Sequence, residues 1–185
     1  YGVEVMSKLL LFNKPFGVLS QFTGEADQKT LSSYIFQKKF YAAGRLDKDS
    51  EGLLLLTNDG KLQQRIADPV FTTGKTYIAQ VDGLITDAAI DKLQNGIKLK
   101  DGITRPAQAS KIDEPATLWE RDPPIRFRAN KPTSWLKITL YEGKNRQVRR
   151  MTASAGFPTL RLVRIAIGSW DLNDLAPGHY LECEV

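Results

Sequence analysis

The chain has 185 residues, a mass of 20.7 kDa and a net charge of +5, which suits one domain or two closely joined lobes that need no disulfide bonds. Its single cysteine, Cys183, permits no internal disulfide and favours a reducing compartment, so we expect a cytoplasmic protein. No apolar run approaches the roughly 18 residues of a membrane span and no secretory signal opens the chain, which excludes membrane-spanning and disulfide-scaffolded classes and predicts no membrane partner.

In chain order, the first half of the sequence carries short elements marked by caps and breakers. Residues 8–12 have the apolar pattern of a strand. Thr30 can cap a short helix, and Asn58 or Asp59 can cap another, which stops before Pro69. These patterns predict strands joined by helices of only two or three turns.

The second half alternates strands and helices again. Residues 75–81 alternate as a strand, with Tyr77 on the same face as two small apolar residues. Thr86 can cap a helix, residues 101–102 mark a hairpin turn, and residues 135–141 alternate as a half-buried strand. The predicted fold class is therefore α+β, with a mixed, mainly antiparallel sheet, short flanking helices and a cleft between two lobes.

A last predicted helix follows residue 145 and carries basic side chains. Asn145 can cap it, and Gly156 can end it. On a helical projection Arg146 and Arg150 fall opposite the apolar stripe, whereas Arg149 flanks the stripe. We therefore expect Arg149 to face a cleft.

The most informative motif is GRLDKDSEGLLLLTNDG, at residues 44–60. Two glycines bracket a polar turn, and the four leucines that follow have the pattern of a strand buried on both faces. Asp47 is therefore anchored at the rim of a core, as a catalytic carboxylate or as a residue that hydrogen-bonds its own turn. Asp49 and Glu51 are interpreted as turn and capping groups.

The positive charge is concentrated in one segment. Residues 143–170 contain six basic residues and no acid, and this charge of +6 against a net charge of +5 leaves −1 for the remainder. Such a block favours a phosphate-rich partner, with nucleic acid as the leading candidate. A second basic stretch, residues 121–132, carries Phe127, which is suited to stacking on a base, although an ordinary charged loop fits equally well.

Other catalytic motifs fail on inspection. The Gly74-Lys75-Thr76 sequence ends like a phosphate-binding loop, but Pro69 occupies the position of the first glycine. His179 and Cys183 cannot fill a four-ligand zinc site, so no metal is predicted. No glycine-flanked serine accompanies the lone histidine, which disfavours a nucleophilic triad.

The motif at residues 44–60 resembles the active-site motif of the RsuA-type pseudouridine synthases. The companion blocks NKPFGV, GKTYIAQVDG, EGKNRQVRRM and GFPTLRLVRIAIG also occur here in the order of that family. Together with the motif they span nearly the whole chain. The short N-terminus resembles the subtype that modifies 23S ribosomal RNA of the large subunit. Many members carry an RNA-binding S4 domain ahead of NKP, but only twelve residues precede Asn13 here. We therefore expect a tail at residues 1–7, no S4 domain, and one catalytic domain at residues 8–185 whose lobes meet near residues 70–75.

The resemblance implies the pseudouridine-synthase catalytic fold and the isomerisation of uridine to pseudouridine in ribosomal RNA. In this family the bond from uridine N1 to ribose C1′ breaks, the uracil turns, and C5 joins C1′, with one aspartate and no cofactor. Asp47 is implied to be that aspartate, either as a nucleophile at C1′ or as a base at C2′. The carboxylate needs a cationic partner in a dry pocket, and the QVR motif implies Arg149, with Arg146 as the alternative.

The remaining site residues also follow from the resemblance. Tyr77 is implied to stack on the uracil and assist removal of the C5 proton, although a plain core tyrosine remains open. Arg45 is implied to enter the RNA stack as the target base flips out. The predicted phosphate or RNA contacts are Lys14, Lys75, Lys144, Arg146, Arg150, Arg161 and Arg164.

Two other functions stay open on the sequence. One is a ribosome assembly factor that binds RNA on the same fold without turnover. The other is a glycosidase or phosphoryl-transfer enzyme built on Asp47 and Asp49, which the acid-free basic segment and the missing phosphate loop disfavour. Dependence on RNA distinguishes these classes. We expect a monomer whose partner is ribosomal RNA.

Overall fold

The computed structural model describes residues 7–185 and contains eleven strands and three α-helices in that range. The predicted N-terminal tail, residues 1–7, lies outside the described residues except for Ser7. The helices are α1 (Gly60–Ala67), α2 (Asp87–Asn95) and α3 (Gln147–Ser154). The strands are β1 (Lys8–Lys14), β2 (Tyr41–Ala43), β3 (Glu51–Thr57), β4 (Lys75–Asp82), β5 (Lys98–Leu99), β6 (Gly102–Ile103), β7 (Gln108–Ile112), β8 (Thr133–Leu140), β9 (Thr159–Ile167), β10 (Trp170–Asp171) and β11 (Tyr180–Glu184).

Nine of these strands form one sheet, whose main path is β11-β1-β3-β9-β4-β8-β7. β2 pairs with β3 and β10 pairs with β9 beside this path, while β5 and β6 form a separate hairpin. The β3–β9 pair is parallel, and the other pairs in the sheet are antiparallel. The predicted α+β class with a mainly antiparallel sheet is confirmed.

The leucine run of β3 is buried on both faces, as its sequence predicts. Leu54 and Leu56 pack into one cluster with Phe12, whereas Leu53 and Leu55 pack into another with Ile66 of α1. Each leucine is fully buried because α1 covers one face of the strand and the segment around residues 31–40 covers the other. The polar turn at residues 44–50 thus leads into a fully buried central strand.

A third cluster forms the core of the second half. Ala79 and Val81 of β4 pack with Leu136 and Ile138 of β8, and Leu93 of α2 closes this cluster. The caps predicted for the first two helices are present, since Asp59 caps α1 and Thr86 caps α2 through their side-chain oxygens. The amphipathic helices therefore cover the sheet where the sequence places them.

Strand β9 joins the two halves, because it pairs with β3 on one side and with β4 on the other. Gly52 makes this junction possible: its φ is +109°, and a Cβ atom there would lie 2.1 Å from the carbonyl oxygen of Arg164. The chain then returns through β11 to pair with β1. The C-terminal strands β9 and β11 therefore pair with strands of the N-terminal half, and β9 also pairs with β4.

Two elements differ from their sequence predictions. The helix expected after Thr30 is a single 3₁₀ turn, Leu31–Ser33. Helix α3 begins after Arg146 rather than at an Asn145 cap, because Arg146 adopts a left-handed conformation with φ 52° and ψ 34°. None of the described helices has the length and apolar character needed to cross a bilayer.

Candidate active site

A cavity of about 590 Å³ opens where three chain segments meet. The turn at residues 44–50 forms one wall, the strands β4 and β9 contribute a second, and residues 142–148 form a third. Most of the predicted site residues share this cavity although they are far apart in sequence. Those lining it are Arg45, Asp47, Lys75, Tyr77, Lys144, Arg146 and Arg164.

The turn that carries Asp47 is held by hydrogen bonds on both sides of the carboxylate. Ser20 bonds the backbone of Leu46 twice, since its hydroxyl accepts from the amide and donates to the carbonyl. On the other side the Gly17 amide donates to the carbonyl of Lys48. The side chain of Asp47 remains 39% exposed and lines the cavity. The fold therefore fixes the backbone and leaves the carboxylate accessible.

Arg146 is the cation that contacts Asp47. Its Nη1 lies 3.4 Å from Asp47 Oδ2, and the same guanidinium makes two 2.9 Å hydrogen bonds to the carboxylate oxygens of Asp49. This bidentate bond lowers the pKa of Asp49 and raises the pKa of Arg146. Asp49 therefore holds Arg146 beside Asp47.

In this structure Arg146, the alternative partner, contacts Asp47, whereas the predicted partner Arg149 contacts Asp49; the role of either arginine stays a prediction. Arg149 Nη2 donates instead to the carbonyl oxygen of Asp49 at 2.9 Å and lies 3.8 Å from the Asp49 carboxylate. The left-handed backbone of Arg146 turns that residue out of the helix and toward the turn, which a helical projection does not anticipate. Burial lowers the pKa of Arg149.

Arg149 lines a second groove, of about 670 Å³, that adjoins the main cavity through Arg146. Arg150 lines the same groove and pairs with Asp101 at 2.7 Å, in an exposed contact. Lys100 adds a further positive charge there. This groove extends the basic surface away from Asp47.

Tyr77 belongs to both the core and the cavity. It packs against the third hydrophobic cluster, and it lines the cavity beside Arg164, its register partner on β9. The two interpretations of this tyrosine, a core residue and a cavity residue, are therefore compatible. Its catalytic role stays a prediction.

Three predicted phosphate contacts are buried, namely Lys14, Arg161 and Arg164, and the first two are bonded to acceptors inside the protein. Lys14 is fully buried, and its ammonium group donates to the carbonyls of Pro15, Val18 and Lys48. Arg161 pairs with Glu51 at 2.9 Å, and both side chains are buried. Lys14 and Arg161 are therefore not available to an external phosphate, because both are buried and both donate to acceptors inside the protein.

The second basic stretch is partly committed to the fold. Arg121 lies 4.1 Å above the ring of Phe16 and donates to the carbonyls of Pro123 and Pro124. Arg128 forms an ion pair with Asp82. Phe127, in contrast, is 89% exposed and stays accessible for stacking.

Sequence reasoning interpreted two acidic residues too simply. Asp49 and Glu51 were expected to be turn and capping groups, but they pair with arginines of the basic segment. The signal was the alternation of acids at residues 47, 49 and 51, opposite an acid-free segment. Much of that segment's charge is therefore balanced within the protein.

Comparisons with known proteins agree with this geometry. The family model for RNA pseudouridylate synthase matches residues 8–154. Ribosomal large subunit pseudouridine synthase E of Vibrio parahaemolyticus is 56% identical over 178 residues, which cover 96% of this chain and 74% of that protein. The protein of the same name from Xanthomonas campestris is 52% identical over 174 residues, with 93% of each chain covered.

A solved structure supports the same relationship. A crystal structure of a pseudouridylate synthase superposes with a TM-score of 0.79 and 26% identity, and covers 98% of this chain and 72% of that chain. The predicted family resemblance is confirmed. The matched residues include the turn of Asp47, strand β4 and helix α3. The chain therefore belongs to the RNA pseudouridylate synthase family and is a pseudouridine synthase.

Proposed function

We propose that this enzyme converts a specific uridine of 23S ribosomal RNA, in the large ribosomal subunit, to pseudouridine. The proposal is supported by relatives of 52–56% identity that are named as ribosomal large subunit pseudouridine synthases. It is also supported by the basic grooves beside the cavity, which suit a polyanionic substrate.

The observation that carries the proposal is the accessible carboxylate of Asp47, 3.4 Å from Arg146 in a cavity wide enough for a nucleotide. A carboxylate in this position serves either pathway for breaking the N1–C1′ bond. It can attack C1′ and hold the ribose covalently, or it can remove the C2′ proton to give a glycal. In both pathways Arg146 provides a positive charge 3.4 Å from the carboxylate.

The detached uracil then turns so that C5 faces C1′, and the new bond forms there. Tyr77 lines the strand side of the cavity, and we assign it the roles of stacking on the uracil and assisting loss of the C5 proton. The bonds that break and form lie within one nucleotide, and the proposed route uses no cofactor.

A uridine in a stem must leave the base stack before Asp47 can reach its ribose. Arg45 lies at the exposed edge of the catalytic turn, where its guanidinium donates to Gln21. We assign Arg45 the role of entering the vacated stack, because it is exposed, cationic and two residues from Asp47.

The Asp47→Asn variant tests this function. We expect it to fold and to bind ribosomal RNA. Its turnover should fall by about a thousandfold or more, because the reactive carboxylate is gone. The measurement is tritium release from 23S RNA labelled at uracil C5. Asp91→Asn, the same substitution at an exposed position on α2, is the matched control and should keep full turnover.

Retention of a few per cent of turnover in Asp47→Asn would reject the assignment of Asp47. Binding of 23S RNA without tritium release by the unmodified protein would instead favour the assembly-factor role. Comparison of pseudouridine maps of ribosomal RNA from cells with and without the gene would then identify the modified uridine.

A further inference from the structure

On the strand side of the main cavity, two cationic side chains have no carboxylate partner. They are Lys75 of β4 and Arg164 of β9. Over residues 7–185, no carboxylate oxygen lies within 4.0 Å of the charged nitrogens of either side chain. This sets the pair apart from Arg146 and Arg161, which are both matched by acids.

Arg164 is held in an unusual state for a buried cation. It is 2% exposed, its Nε donates to the carbonyl oxygen of Leu53 at 2.8 Å, and its buried Nη2 has no hydrogen-bond acceptor. Buried polar groups are almost always paired, and a buried charge is paired more strictly still. Because Arg164 lines the cavity, its Nη2 group without an acceptor points to an acceptor supplied by a ligand.

Lys75 adds a second charge to the same place. Burial lowers the pKa of its ammonium group, and the nearby Arg164 lowers it further. The Nζ atom lies against Gly143, where an added Cβ would stand 2.9 Å away. The glycine thus leaves room for the lysine head group at the cavity wall. Two adjacent cations favour an anion over a neutral carbonyl group, because only an anion offsets their mutual repulsion.

The position of the two cations relative to Tyr77 suggests which anion they bind. Tyr77 and Arg164 are register partners on neighbouring strands, and Lys75 precedes Tyr77 by two residues on β4. A nucleotide whose uracil rests on Tyr77 carries its own phosphate close to the ring. The close approach of Gly52 to the backbone of Arg164 fixes this part of the site on rigid strands.

We propose that Lys75 and Arg164 form a subsite for the phosphodiester group of the flipped nucleotide. The inference rests on the proposed function, because it takes the cavity to be the uridine site. Lys75 Nζ and Arg164 Nη2 donate to the phosphate oxygens, while Asp47 and Arg146 act at the ribose. The subsite holds the nucleotide after it leaves the RNA stack.

The test uses uridine, uridine 5′-monophosphate and uridine 3′-monophosphate as probes, titrated into the full chain by calorimetry. We expect one monophosphate to bind about tenfold more tightly than uridine, the size of one charge-assisted contact. Lys75→Met should bring this ratio close to one, and Lys75→Arg should restore most of it. Lys111→Met, which removes the same charge at an exposed site on β7, should leave the ratio unchanged.

Arg164→Lys serves as a second variant, since it keeps the charge but removes the Nη2 donor, and it should lower the ratio in part. Equal binding of uridine and both monophosphates by the unmodified protein would overturn the proposal. So would an equal loss for uridine and monophosphate in Lys75→Met, which would place Lys75 on the base or ribose. A loss in Lys111→Met as large as in Lys75→Met would also overturn it, as a general charge effect.

Tritium release from 23S RNA separates this inference from the proposed function. Release without a preference for monophosphate would reject the subsite and keep the function. A monophosphate preference that depends on Lys75, without release from any ribosomal RNA, would keep the subsite and reject the function.

Discussion

Two arginine–carboxylate clusters are built on acids only two residues apart in the chain, Asp49 and Glu51, but they lie in opposite environments. Asp49 is 40% exposed and binds Arg146, which is 43% exposed, at the cavity. Glu51 binds Arg161 behind the strand pair β3–β9, with 2% and 8% of their side chains exposed. The same two kinds of charged group meet at nearly the same distance in both clusters.

The difference in exposure indicates that the Asp49–Arg146 cluster belongs to the candidate site and that the Glu51–Arg161 cluster supports the fold. Water screens the Asp49–Arg146 pair, so Arg146 can exchange partners with Asp47 or an RNA phosphate at little cost. The Glu51–Arg161 pair is desolvated, and the indole of Trp119 donates to Glu51 while its carbonyl accepts from Arg161. Such a closed network persists only when each member is satisfied.

Breaking the buried pair should have the largest effect on stability. Glu51→Ala leaves the guanidinium of Arg161 desolvated and without its counter-charge, which should cost about 3–5 kcal/mol in the free energy of unfolding. The measurement is equilibrium unfolding in urea. Because small domains have only about 5–15 kcal/mol of stability in total, the variant should lose a large share of its stability.

A double variant is the matched control for this prediction. Glu51→Leu combined with Arg161→Met removes both charges and should recover much of the loss, because no uncompensated charge remains buried. Asp101→Ala, which breaks an exposed pair with Arg150, should change the unfolding free energy far less. A single Glu51→Ala loss as small as that of Asp101→Ala would show that burial does not distinguish the two clusters.

Lys14 extends the comparison to a cation buried without a carboxylate contact. Burial lowers its pKa from 10.5 to about 8 in the folded protein. Between these two pH values the folded state has released a proton that the unfolded state still binds, so the stability contributed by this group rises with pH. Relative to Lys14→Met, the gain should reach at most about 3 kcal/mol by pH 10.5.

Urea unfolding of both proteins from pH 7 to 11 measures this difference, and other titrating groups cancel in the comparison. Below pH 8 the difference should be constant, because both states keep the proton. A difference that stays flat through pH 10 would show that Lys14 is solvated in the folded protein.

The fold could be predicted from the sequence wherever the signal is local. The leucine run at residues 53–56 predicted a strand buried on both faces, and Asp59 and Thr86 predicted helix starts. The parallel pairing of β3 with β9 could not be predicted, because more than one hundred residues separate Glu51 from its partner Val163. No local pattern encodes such a contact.

The candidate site could be predicted less completely, for the same reason. The family motif identified the turn of Asp47, but the choice of its arginine depended on one backbone conformation, that of Arg146. Charge counting also treated Arg161 as available, because the sequence does not show that Glu51 is buried against it. The sequence therefore did not show which charged residues already have an acidic partner inside the protein.

The smallest stability effect is expected at the exposed cluster, in Asp49→Asn. The variant should lose less than about 1 kcal/mol of unfolding free energy, because solvent screens the pair. Turnover should fall by about tenfold, since Arg146 loses the bidentate contact that positions it beside Asp47. Tritium release and urea unfolding on the same preparations measure the two effects. Unlike Glu51→Ala, Asp49→Asn should change turnover strongly with little loss of stability.

The pH dependence of the stability difference between Asp49→Asn and the unmodified protein shows whether the charge of Asp49 causes that difference. The hydrogen bond from Arg146 holds the pKa of Asp49 below its ordinary value of 3.8, so its contribution to stability is complete above that value. As the pH falls through the lower, folded-state pKa, the carboxyl group takes up a proton and the difference between the two proteins should vanish. Unfolding measured from pH 7 down to about pH 2 tests this. A difference that persists in acid would mean that Asp49 acts through its shape and hydrogen bonds, and the exposed cluster would then resemble the buried one more closely than its solvent exposure implies.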